Sequence, residues 1–333
     1  MFYFLSVKPY ETQQSDFLLA WQSINTSDSE SIAETHLISC WVLMDDEKKV
    51  PIGRFAFYIN PELNYEDKRI GAVGKYACID DKEVAKALFR QVDKIAKEHG
   101  CNMVIGPFDG STWNDYRLNT KQKSDSFFLE PNYPTYYNTH FQQAGFAVLA
   151  TYYSQATEVL SRNEEVLNAQ QQKYESAGAI FRQIDLGNYK EELEKIAHFS
   201  NNAFQENFLF SPIAIESFVE KYLMIKPIID PTFVYLVNNQ EGDLWALCFA
   251  IKNLNDPTGK TLIIKTLART KDAPLKGIAY FLGAKTGAEA AKKGYTKVIH
   301  ALMRSDNASR DASKRIDGEV ISEYVLYGKI KNG

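Results

Sequence analysis

Residues 82–105, KEVAKALFRQVDKIAKEHGCNMVI, and residues 276–299, KGIAYFLGAKTGAEAAKKGYTKVI, decide how this chain folds. The first reads as a long amphipathic helix over residues 82–98, closed at Gly100 and followed by a buried-type strand over 102–105. The second repeats it without a gap. Lys82, Ala85, Leu88, Ala96, Gly100, Val104 and Ile105 fall on Lys276, Ala279, Leu282, Ala290, Gly294, Val298 and Ile299. Such identities also arise when two helix–strand units converge on one pattern. The flanking elements follow in the same order, which makes duplication the preferred reading.

Outward from the first copy, residues 37–44 and 51–58 have hairpin character, residues 69–79 read as a strand, and residues 15–24 have helical spacing. The opening residues 1–7 are apolar but short, lack a basic flank, and read as a first strand. Before the second copy, residues 261–269 form another strand. The polar stretch 157–178 has the composition of a connector. The expected organisation is a mixed α/β (α+β) chain of two tandem units: 1–155, a connector 156–178, and 179–333.

Composition narrows the function. With 333 residues, 45% hydrophobic, 24% charged, 18 Gly and 11 Pro, the chain is globular and long enough for two cores. A net charge of −4 supplies no bulk field for a polyanion, so neither nucleic acid nor an acidic membrane is an expected partner. No run approaches the ~18 apolar residues of a membrane span, and a cytoplasmic location is expected. Cys40, Cys78, Cys101 and Cys248 lie far apart, without metal spacing; they read as reduced structural thiols, and no metal is expected.

An anion must therefore be met locally. Strand 261–269 leads through Thr270-Lys271-Asp272-Ala273-Pro274-Leu275 into a helix over 276–293 that opens Lys276-Gly277-Ile278-Ala279. Glycine at a helix start lets backbone N–H groups approach a ligand, and the helix end adds partial positive charge. Lys271, Lys276 and Arg269 add full charges. The alternative is that Gly277 only relieves crowding between strand and helix.

This stretch resembles the acyl-CoA motif of the GCN5-related N-acyltransferase (GNAT) superfamily, V-x-P-x-x-(Q/R)-G-x-G-x-(G/A). Arg269, Lys271, Pro274, Leu275, Gly277 and Ala279 occupy its defined positions, and the last two agree in type. The family's N-x-x-A-x-x-x-Y-x-x-x-G-F pattern aligns with Asn307, Arg310, Lys314, Gly318 and Glu319, where Asn307 and Gly318 agree. With strand order agreeing over almost the whole of both halves, the chain looks like a tandem two-domain GNAT, each domain a twisted mixed sheet flanked by helices.

The resemblance implies that Leu267, Ala268 and Arg269 pair through their backbones with the pantetheine arm. It implies that Lys276, Gly277, Ile278 and Ala279 hold the pyrophosphate, and that Asn307 meets the pantetheine from the other side. The implied reaction is direct attack of an amine, from a small molecule or peptide, on acetyl-CoA or another acyl-CoA. Where the family commonly has a Tyr to protonate the thiolate, this chain has Lys314; Tyr324 and Tyr327 are alternative acids, and at most one can serve because they should face opposite ways. His300 is the nearest base to strand 261–269.

The first half has Asp80-Asp81-Lys82-Glu83 at the cradle, carboxylates that would repel a pyrophosphate, so it is expected to have lost cofactor binding. Its loop 106–117 and Tyr133-Pro134-Thr135-Tyr136-Tyr137 either shape an acceptor pocket or pack between the halves. Two other readings fit the tandem fold: an aminoacyl transferase of the peptidoglycan-bridge type, and a non-catalytic binding protein.

Overall fold

A computed structural model describes residues 1–7, 17, 33, 35–123, 125–159, 162–271, 275–305 and 318–331. The helical spacing read over residues 15–24 therefore lies outside the described residues, Phe17 excepted. Strands β1 (Phe2–Val7), β2 (Leu37–Asp45), β3 (Pro51–Tyr58) and β4 (Ile70–Cys78) form an antiparallel meander. Helix α1 (Lys82–Glu98) then carries the chain to β5 (Met103–Gly106), parallel to β4. The second half repeats this with β8 (Ile180–Gln183), β9 (Val234–Asn238), β10 (Leu244–Lys252) and β11 (Thr261–Arg269), then a helix and β12 (Lys297–Arg304) parallel to β11.

The duplicated unit folds where its pattern places it. Val84, Leu88, Val92 and Ile95 bring one stripe of α1 into the core with Phe55, Tyr76 and Phe89. Its partner, Ile278–Lys292, starts two residues later than α1 does in its copy of the repeat. The intervening helices are α2 (Tyr136–Gln143), α3 (Glu164–Ser176), α4 (Tyr189–Ala203) and α5 (Ile215–Leu223), which makes Ile278–Lys292 α6. The expected connector 156–178 holds the end of a strand and then α3. Asn163 caps that helix by accepting from the Glu165 N–H at 2.8 Å, and its Tyr174 packs on Phe281 of α6.

The two halves do not close separate sheets. Strand β7 (Ala147–Glu158) follows the first half but pairs with β12, whereas β13 (Glu319–Ile330) pairs with β5; β7 and β13 pair with each other. A single sheet therefore runs β1-β2-β3-β4-β5-β13-β7-β12-β11-β10-β9-β8, with β6 (Leu118–Gln122) also on β13. Each half borrows the other's last strand. A loop of the first half completes the seam: Phe127 packs on Ile251, Ile263, Ile299 and Ile321, and the Phe128 N–H donates to Asn253 Oδ1 at 2.8 Å. All four cysteines are free and buried, and burial raises Cys40, Cys78 and Cys248 to about 12, which keeps them as thiols.

Candidate active site

In the second half the parallel ladder between β11 and β12 runs only from Thr261–Lys297 to Ile264–His300, although β11 continues to Arg269 and β12 to Arg304. Two irregularities part the strands. Opposite Phe249 and Ala250 of β10, β11 carries an extra residue, Lys265, and bulges. In β12 the pairing to β7 breaks between His300 and Met303, where Leu302 has φ 62° and its N–H donates to Ser154 Oγ at 3.2 Å. The result is a V open at the carboxyl ends of two parallel strands, where open α/β sheets bind ligands. Leu267, Ala268 and Arg269 pair with β10 on one side and line one arm of the V on the other, beyond the last rung to β12.

Helix α6 starts beside this V. Its N-cap is Gly277, with φ 86° and no side-chain cap; the Ile278 N–H donates to the Leu275 carbonyl at 3.1 Å, which leaves the helix dipole and the Ala279 and Tyr280 N–H groups to meet an anion. A Cβ on Gly277 would lie 3.4 Å from the Tyr174 hydroxyl, which donates to the Lys276 carbonyl at 3.2 Å. That bond ties the corner to α3. Lys276 is exposed, Ile278 is buried with its N–H held by the Leu275 carbonyl, and Ala279 is half-buried. Arg269 bonds the carbonyls of Thr270 and Lys271, and Lys271 pairs with Glu206, so both cations brace the loop. Pro274 and Asn307 lie outside the described residues.

The first half shows the same construction closed by its own side chains. β4 and β11 both have nine residues in matching register with their parallel partners, so Cys78 corresponds to Arg269. The Cys78 N–H donates to the Tyr137 hydroxyl at 3.1 Å, and the Tyr136 hydroxyl donates to the Cys78 carbonyl at 2.9 Å. Asp81 caps α1, accepting from Glu83 N and Val84 N at 2.8 and 3.1 Å. The V itself is bridged, because the Phe108 N–H donates to the Val73 carbonyl at 2.8 Å. Tyr136 and Tyr137 thus serve the first half's own core.

The remaining candidates are scattered. His300 occupies the last rung of the β11–β12 ladder, with Nε2 3.5 Å from Thr157 Oγ1; burial lowers it to about 4 and keeps the imidazole neutral. So low a value makes it a weak base for an ammonium group. Tyr324 is fully buried at the seam, hydrogen-bonded to Ser154 at 3.2 Å and to Glu130; burial and then that carboxylate raise its pKa. Tyr327 lies elsewhere, in the first half's core, stacked on Phe141 and bonded to Gln142 and Asn138. Lys314 lies outside the described residues. Among the described residues, no group of His, Cys, Asp and Glu is placed to hold a metal ion. Sequence reasoning did not single out Lys265, nor Arg117 and Glu130, whose charges act on it from the first half. A lysine inside the apolar run TLIIKTLAR was the available signal.

A mixed sheet with helices on its faces and two βαβ units that splay is the GCN5-related N-acetyltransferase fold. Among solved structures the chain is similar to the GCN5-related glucosamine N-acetyltransferase region of a fungal multi-domain GH3 β-N-acetylglucosaminidase (TM-score 0.58, 12% identity, 99% of this chain and 38% of that one). It is also similar to a tandem GNAT protein from the clavulanic acid biosynthesis pathway (0.56, 8%, 100% and 99%) and to a GCN5-related N-acetyltransferase from Sphaerobacter thermophilus (0.53, 12%, 99% and 96%). No protein-family model matches the sequence. A curated relative, the bacterial ceramide synthase of Caulobacter vibrioides (strain NA1000 / CB15N), is 22% identical over 192 residues, 57% of this chain. The chain matches 50% of that relative's length. No helix among the described residues is long and apolar enough to cross a membrane.

Proposed function

We propose that the protein is an N-acyltransferase that takes its acyl group from an acyl-CoA, acetyl-CoA being the simplest, and passes it to an amine by direct attack. The observation that carries this reading is the contrast between the two helix starts. α6 has an uncapped glycine start beside an open V, whereas Asp81, Tyr136 and Tyr137 occupy the matching positions in the first half. The second half's V supplies backbone donors to polarise a thioester carbonyl, and the α6 start supplies N–H groups for the pyrophosphate. Attack expels the CoA thiolate, which takes up the proton that the amine loses. The named product of the Caulobacter relative, a ceramide, is an amide, which agrees with acylation at nitrogen.

Calorimetric titration with CoA tests the reading. One site per chain is expected, and acetyl-CoA should release free thiol when amine acceptors are supplied. Two equivalent sites, or no binding, would overturn it.

A further inference from the structure

Both bulges carry a lysine, and among the described residues only one of the two has a counterion. Lys75 of β4, 4% exposed, pairs with Asp109 Oδ2 at 2.7 Å, and its backbone N–H donates to Asp109 Oδ1 at 2.9 Å. Lys265 of β11 makes no ion pair with any described residue. The charged groups that act on it electrostatically come from the first half: Arg117, Asp115 and Glu130. Asp115 is 66% exposed and leans toward Lys75 at 3.4 Å. Glu130 is already engaged by the Tyr324 hydroxyl, the Phe127 N–H at 3.1 Å and Gln122.

Arg117 is short of partners too. Its guanidinium lies in the corner formed by the rings of Tyr116 and Tyr152, 3.8 and 4.4 Å from their centroids, in a residue 6% exposed. Its Nε–H is buried with no hydrogen-bond partner, and a long bond of 3.5 Å joins Nη1 to the Leu302 carbonyl. A guanidinium has five N–H donors, and a buried cation is costly without an anion. The two rings meet edge to face, at 84° to each other, so only one can stack on the guanidinium, and its unpartnered Nε–H edge suits the side-on grip of a carboxylate. Leu302 and Lys265 lie on the two arms of the V. Lys265 follows Ile263, which packs on Phe127, on the face opposite the α6-packed Leu262 and Ile264.

We infer that Arg117 and Lys265 together hold a carboxylate of the acceptor, so that the amine acylated belongs to an amino acid or to another molecule with a carboxylate near its amine. The identity of this ligand as acceptor rests on the acyl-transfer reading; the anion site itself rests on the charge geometry alone.

The side-chain Nε–H resonances of ¹⁵N-arginine-labelled full-length protein report it directly. Probes are N-acetylglycine and N-acetyl-L-phenylalanine, product analogues with a carboxylate, against their uncharged amides and inorganic phosphate, in chloride-free buffer. The two acids should shift a resonance that is absent in Arg117→Lys, while the amides leave it unmoved. Arg117→Lys and Lys265→Gln should each weaken binding of the acids by about tenfold or more. Glycine or phenylalanine should also be acetylated about a hundredfold better than methylamine or phenethylamine, a ratio that collapses in either variant.

Equal binding of amides and acids, no shift with either acid, or undiminished binding in folded Lys265→Gln overturns the proposal. Phosphate binding far tighter than the acids overturns the choice of carboxylate. A parallel acetyl-CoA titration separates the two readings: acids bound without acetyl-CoA would sink acyl transfer and leave the anion site, and the reverse would sink the anion site alone.

Discussion

Gly277 offers the sharpest test, because one position combines a backbone conformation and an electrostatic site. At φ 86° an L-residue pays the left-handed penalty of about 1–2 kcal/mol, and its Cβ meets the Tyr174 hydroxyl at 3.4 Å, a contact a small shift can absorb. Gly277→Ala isolates that strain; Gly277→Glu adds a carboxylate. Placing Glu here copies Glu83 from the repeat but not its surroundings, since Glu83 sits inside α1 behind the Asp81 cap. Both variants should therefore lose stability equally, by about 1–2 kcal/mol, or a few degrees in melting temperature. Affinity should separate them. A carboxylate about 4 Å from a pyrophosphate costs on the order of 4 kcal/mol at an effective dielectric near 20, roughly a thousandfold in Kd. Calorimetry with CoA, beside thermal melts, reads both quantities. A folded Gly277→Glu protein that binds CoA as tightly as Gly277→Ala would refute the cradle.

Other outcomes follow from the same geometry. Tyr137→Phe leaves the buried Cys78 N–H without its acceptor and should cost about 1–3 kcal/mol in urea unfolding, without creating a second CoA site while Asp81 still caps α1. Asp109→Asn removes the buried anion nearest Lys75, leaving the exposed Asp115 at 3.4 Å, and should cost about 3 kcal/mol, with Lys75→Met/Asp109→Asn recovering much of the loss. His300, held near 4 by burial against an ordinary 6.5, is protonated first in the unfolded chain. Its stabilising share is whole above pH 6.5 and is lost as pH falls toward 4. The loss is about 3 kcal/mol, and urea midpoints across that range should show a steeper fall for the parent than for His300→Gln.

Much of the fold was legible because it is local. The expected strand 261–269 is β11 to the residue, and the hairpin 37–44 with 51–58 is β2 with β3, since alternation and turn chemistry act within a few positions. The exchange of β7 and β13 was not legible, because nothing in a strand's own pattern names a partner in the other half. Spacing placed Gly277 at a helix start, yet the conformation differed: α6 begins at Ile278, so Gly277 is an N-cap in the left-handed region and not a first-turn residue. In the first half the aspartates read only as like charges at a helix start. Asp81 also consumes the N–H groups outright, and that depends on side-chain placement. Arg117 was visible only as the end of a loop; its meaning comes from Tyr116 and Tyr152, which lie on separate elements.

The exchanged strands also set a timetable for synthesis. When Glu158 has left the ribosome, β7 has neither neighbour, because β12 and β13 are both still uncoded in the nascent chain. The gap beside β5 stays open as well, since Gly106 must wait for Tyr327. Two bare strand edges thus persist throughout translation of the second half, the condition under which nascent chains aggregate or recruit chaperones. Neither half is a transplantable module: a chimera would need a break inside the β7–β13 pair.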